Sequence, residues 1–156
     1  MRVALAIAAC AALSACGYHV AARGAPLVGD PQRVAVSPFD ARTADAEVGE
    51  FVTAAVREDL ARRGVGSGEG SPSRIDGVVE ETLYGPSSPN GATWRLALVV
   101  SATLVTEGKP AAEARVRREV EYLAGQDALE TEGRRRIALR RASEAAAREL
   151  LEKLER

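Results

Sequence analysis

The chain has 156 residues, 21 Lys+Arg against 22 Asp+Glu, and a formal net charge of -1. That length suggests one domain with tails, able to bury roughly two-thirds of its unfolded surface. Near-neutral charge and only six aromatic residues argue against nucleic-acid binding, which needs excess cation or stacking platforms. The single histidine, His19, and two cysteines, Cys10 and Cys16, all near the N-terminus, exclude zinc modules, disulfide scaffolds and most His-dependent catalysis.

Arg2 precedes an uninterrupted run of apolar or small residues over 3–13. A permanent bilayer-spanning helix needs about 20 such residues, so this shorter run reads as a secretory signal. It ends Leu13-Ser14-Ala15-Cys16, which resembles the bacterial lipobox: a branched residue, two small ones that fit a narrow peptidase site, then cysteine. Cleavage is expected before Cys16, with a diacylglycerol on its thiol and an acyl chain on its new amine. Several chains anchor a protein firmly where one does so only marginally. No other cofactor is expected. Gly17, in place of aspartate, favours outer-membrane sorting. Residues 1–15 therefore read as a lipoprotein signal peptide, 16–32 as a lipidated N-terminus and tether rich in Ala, Gly and Pro, and 33–156 as one domain.

Within that domain, residues 33–39 alternate as a short strand, with Val34 and Val36 on one face. Asp45, after a polar loop, is placed to cap a helix over 46–63, whose stripe is Val48, Phe51, Val52, Ala55, Val56 and Leu60. Gly64 suits a helix end, and a Gly/Ser loop follows. Residues 74–84 alternate again, with Ile75, Val79 and Leu83 sharing a face, and Asn90-Gly91 signals a turn. Residues 93–105 form the strongest strand. Trp94, Leu96, Leu98, Val100, Ala102 and Leu104 lie on one face; Arg95, Ala97, Val99, Ser101, Thr103 and Val105 lie on the other. A turn at Glu107-Gly108-Lys109-Pro110 leads to a partner strand over 113–122, with Ala114, Val116, Val120 and Tyr122 inward and Arg115, Arg117, Glu119 and Glu121 outward. Asp127 with Glu130 resembles a capping box. It opens a long helix to about Leu154, striped by Leu139, Ala142, Ala146, Leu150 and Leu154.

The order strand, helix, three strands, helix implies an α+β two-layer sandwich: a four-stranded mixed sheet with two helices packed on one face. The first crossover joins parallel strands and the later turns join antiparallel ones. The opposite face, with Ala97, Val99 and Val105, has no third layer. It reads either as a patch that meets a partner or as an ordinary solvated face.

The mature start Cys16-Gly17-Tyr18-His19-Val20, this element order, and the run Ala102-Thr103-Leu104-Val105 before a Gly-Lys turn and a basic alternating strand resemble the lipopolysaccharide-assembly lipoprotein family LptE. The resemblance implies an outer-membrane lipoprotein facing the periplasm and without enzymatic activity. It would sit as a plug in the LptD β-barrel, help that barrel assemble, bind lipopolysaccharide and aid its delivery to the surface. It also implies basic lipid A contacts on the last helix, where Arg140 falls, and in the loop after the second strand. There Pro89-Asn90-Gly91 carries no cation and Arg95 is the nearest substitute.

Arg134, Arg135, Arg136, Arg140 and Arg141 form the densest basic cluster, and Arg115, Arg117 and Arg118 a second. Guanidinium groups bind phosphate through paired donors. The plainer reading is a solvated helix with i,i+4 pairs such as Glu144–Arg148 and Glu149–Lys153. Glu119 and Glu121 suit cross-strand ion pairs. Two other functions compete. The segment Val34-Ala35-Val36-Ser37-Pro38-Phe39 also resembles the opening of outer-membrane lipoprotein regulators of peptidoglycan synthesis, and a hydrolase would have to rely on His19.

Overall fold

The computed structural model describes residues 33–66, 68 and 70–156, so the signal, Cys16, Tyr18, His19 and the tether lie outside the described residues. The elements are β1 (Val34–Val36), β2 (Asp40–Ala41), α1 (Glu47–Arg62), β3 (Ser73–Pro86), β4 (Thr93–Thr106), β5 (Lys109–Leu123) and α2 (Ala128–Leu154). The sheet runs β1-β3-β4-β5, with β1 and β2 both parallel to β3 and the rest antiparallel. The expected four-stranded mixed sheet is present, with the two-residue β2 added where a polar loop was expected.

The helices form one layer. Val48, Val52, Val56 and Leu60 of α1, and Leu139, Ala142, Ala146, Leu150 and Leu154 of α2, are buried against Ile75, Val79, Leu96, Leu98, Val100 and Leu104 of the sheet. Each fully buried leucine contributes roughly 1.5–3 kcal/mol. Arg136 meets Glu47 near the starts of the packed segments, and Arg63 meets Glu155 at their ends, so α1 and α2 run the same way. Asp127 caps α2 as expected, its Oδ1 accepting the Glu130 N–H at 2.8 Å, while Glu130 Oε2 accepts from the Gln126 N–H at 2.6 Å. The hairpin between β4 and β5 turns at Glu107 and Gly108, with φ of 52° and 76°, the pairing of a two-residue turn that matches strand twist.

Three expectations change. Asp45 is not the cap residue of α1, a position held by Ala46 without a side-chain cap; its carboxylate touches the Glu47 backbone N–H at the start of the helix but is taken chiefly by groups distant in sequence. The alternation of β3 breaks at Glu80. Val79 pairs with Val100 and Glu81 with Val99, leaving Glu80 as a bulge that inverts every later side chain. Leu83, expected with Ile75 and Val79, therefore stands opposite Ala97 on the outer face, 51% exposed, and Tyr84 turns toward the helices. Finally, Glu144 and Arg148 form no ion pair, although Glu149 and Lys153 do, at 3.1 Å.

The outer sheet face closes over itself. Ala97 and Val99 are only 4% and 2% exposed although no third layer covers them among the described residues. Around them lie Arg95–Glu121 at 3.3 Å, Arg117–Glu119 at 2.8 Å and Arg115–Glu80 at 2.7 Å, long side chains whose stems lie over apolar surface.

Candidate lipid-binding surface

Two features stand out on the helix side of the sheet. The first is a groove between the end of β5 and α2. Edge strand β5 brings Glu121, Tyr122 and Leu123 to it, and one face of α2 brings Arg134, Ile137, Ala138 and Arg141, around a cavity of about 400 Å³; the Glu121 carboxylate is already paired with Arg95 at 3.3 Å. Leu123 and Ile137 are 60% and 55% exposed, a contiguous apolar strip of the kind that marks an interaction surface. Arg134 is held by Glu130 at 2.5 Å and donates to the Ala124 carbonyl at 2.8 Å. Arg141 has no ion pair or hydrogen bond among the described residues, so its guanidinium is free for an anion beside an apolar floor.

The second feature is a network at the start of α2. Asp45 Oδ2 accepts from the Tyr84 hydroxyl at 2.8 Å and from Arg135 Nη1 at 2.6 Å. Arg135 also grips Glu132 through two nitrogens at 2.7 Å and lies 5.1 Å over the Tyr84 ring. Burial tends to raise the Asp45 carboxyl, but the Tyr84 hydroxyl and the Arg135 guanidinium outweigh it and hold the group below its ordinary value. Burial, then the adjacent Asp45 carboxylate, pushes the Tyr84 phenol well up. The Glu132 and Asp45 carboxylates hold Arg135 firmly charged. Nothing in the local pattern signals this network, because it depends on the Glu80 bulge. The two consecutive glutamates interrupting an apolar alternation are the only hint.

Of the residues singled out in the sequence, Arg140 is exposed on α2 and, like Arg141, has no ion pair or hydrogen bond among the described residues. Arg95 lies on the outer face, paired with Glu121, so the sheet separates it from Arg140 and the two do not form one site. Arg118 faces the helices and pairs with Glu149, and Arg136 pairs with Glu47 at 2.8 Å. The basic cluster is thus largely structural, with Arg140 and Arg141 left over. Among the described residues no group of His, Cys, Asp and Glu is arranged to hold a metal ion, and no helix is long and apolar enough to cross a membrane.

A single mixed sheet with two same-direction helices on one face places the chain in a class of small α+β domains found in bacterial lipoproteins. Solved structures share the fold. A lipoprotein from Caulobacter crescentus CB15 matches at 16% identity and TM-score 0.61, over 78% of this chain and 87% of that one. A PelC dodecamer from Paraburkholderia phytofirmans matches at 16% and 0.60, over 86% and 94%. Rare lipoprotein B from Shewanella oneidensis matches at 17% and 0.50, over 77% and 91%. No curated protein matches by sequence. The model of the LptE lipopolysaccharide-assembly family matches residues 31–154, and the chain belongs to that family.

Proposed function

We propose that this chain is an outer-membrane lipoprotein, acylated on Cys16 after loss of residues 1–15. In this reading it plugs and helps assemble an LptD-type β-barrel, binds lipopolysaccharide and aids its delivery to the surface, without catalysing a reaction. Membership of the lipopolysaccharide-assembly family supports the reading. The observation that carries it furthest is the groove in which exposed Leu123 and Ile137 adjoin the unpaired Arg141. An apolar floor beside a free guanidinium suits a lipid carrying both acyl chains and phosphates. Arg140, one residue away, extends the cationic rim. Arg95 is held only by exposed pairs worth under about 1 kcal/mol, so it exchanges to a phosphate at little cost.

Crosslinking in membranes followed by purification tests the reading. The tagged chain is expected to bring down a large β-barrel and lipopolysaccharide. Arg141→Glu is expected to retain the barrel and lose most of the lipopolysaccharide. Recovery of the chain without any barrel would sink the proposal, and full retention of lipopolysaccharide by Arg141→Glu would remove the groove from it.

A further inference from the structure

Three of the chain's six aromatic residues meet at one end of the sheet. Trp94 and Tyr122 stand directly opposite each other on β4 and β5, and the Glu80 bulge brings Tyr84 to the same face. With Gln126, Thr131 and Glu132 at the start of α2, they line an open cavity of about 720 Å³. All three rings are half-buried. Core aromatics would be sealed by the helix, but α2 begins only at Ala128; Arg135 lies over the Tyr84 ring, while Trp94 and Tyr122 stay partly open to the cavity.

The charges around the cavity are already matched internally. Arg135 is shared by Asp45 and Glu132, so the cavity offers no spare cation; the Asp127 carboxylate is engaged as the cap of α2 through the Glu130 N–H. The free groups are neutral: the Trp94 indole N–H, the Tyr122 hydroxyl and the Gln126 amide have no hydrogen-bond partner among the described residues. Burial raises the Tyr122 phenol further above neutrality, where any tyrosine is already a donor. Open aromatic faces ringed by neutral donors and acceptors do not suit a phosphate, which wants spare cations, or a bare acyl chain, which would leave those groups unpaired. They suit a pyranose, whose C–H face packs on a ring while its hydroxyls bond around the edge.

We infer that the Tyr84–Trp94–Tyr122 cavity binds a sugar ring, separately from the lipid groove beside Arg141. Naming the saccharide portion of lipopolysaccharide as its source rests on the proposed function; the cavity chemistry does not, since a peptidoglycan glycan presents the same rings.

Trp94 is the only tryptophan, so intrinsic fluorescence reports on this cavity alone. The full chain, purified in detergent, is titrated in separate arms with the core oligosaccharide released from lipopolysaccharide, with a muropeptide disaccharide, and with choline. The expected result is a saturable emission shift with the core oligosaccharide. The shift should weaken at least tenfold in Tyr122→Leu and several-fold in Gln126→Ala, an exposed loop change that leaves folding intact. A response to the muropeptide alone supports the sugar cavity while overturning lipopolysaccharide as its source. A response to choline but to neither saccharide, or no response in any arm, overturns the inference. Lipopolysaccharide capture by the same preparation reads the Arg141 groove independently, so either idea can fail without the other.

Discussion

Replacing Asp45 with alanine tests whether the network at the start of α2 holds two layers together. Asp45 lies before α1, Tyr84 is 39 residues away on β3, and Arg135 is 90 residues away on α2. Asp45→Ala removes two charge-assisted hydrogen bonds, each worth roughly 1.5–3 kcal/mol. The pair is 18% exposed on both sides, and Arg135 keeps Glu132 as a partner, so it is not stranded as a buried lone charge, a loss that costs about 3–5 kcal/mol. The expected cost at pH 7 is about 3 kcal/mol, the low end for two such bonds, read as a lowered urea midpoint with an unchanged slope. Because the folded Asp45 pKa is depressed, its stabilisation is present above the ordinary carboxylate range and is lost as the pH falls through the lower folded value. The gap between wild type and variant should therefore shrink in strong acid. Tyr84→Phe should cost about 1 kcal/mol and combine with Asp45→Ala less than additively. A cost below about 0.5 kcal/mol, within the range of an ordinary surface change, or a gap that persists undiminished in acid, would refute the reasoning.

Two packing predictions follow from the sheet. A Cβ at Gly77 would lie 2.0 Å from Phe39 Cε1, so Gly77→Ala should cost about 1–3 kcal/mol by overpacking, and adding Phe39→Leu should recover part of that in urea unfolding. Leu150, fully buried between α2 and the sheet, should cost about 2–5 kcal/mol when cut to alanine, with a matching fall in thermal midpoint.

The legible parts of the fold were those written in unbroken period. β4 alternates without interruption, and α2 repeats apolar residues every three or four positions behind a capping box; both appear where the pattern puts them. β2 was not legible, because Asp40 and Ala41 carry no apolar signature and are strand only through pairing with Val78 and Val79. The bulge is not legible because Glu80, the first of two consecutive glutamates, carries no signal of being the extra residue while it reverses the faces beyond it, which moves Leu83 outward and Tyr84 inward. Asp45 looked like a cap because local rules see only the next helix, whereas the Tyr84 hydroxyl and Arg135 compete for it from far along the chain. The groove was half legible. Ile137 and Leu123 fall outside their elements' buried faces, but which of the clustered arginines stay free depends on pairings such as Arg136–Glu47 that only the tertiary structure supplies.

The pairing pattern also sets an order of assembly. β3, β4 and β5 follow one another through a short loop over 87–92 and a tight turn at Glu107-Gly108 and can zip up from neighbours in sequence, while among the described residues β1 and β2 pair with no strand except β3, across the whole of α1. Local hairpins close faster than long-range parallel pairing, so the segment carrying β1 and α1 docks late and should unzip early. Amide exchange should find Val34–Val36 opening well before the centre of β4. Synthesis runs from the N-terminus, so the valine-rich segment of β1 and α1 emerges before the strand it must dock on, and until β3 arrives it is the stretch most in need of shielding from wrong partners.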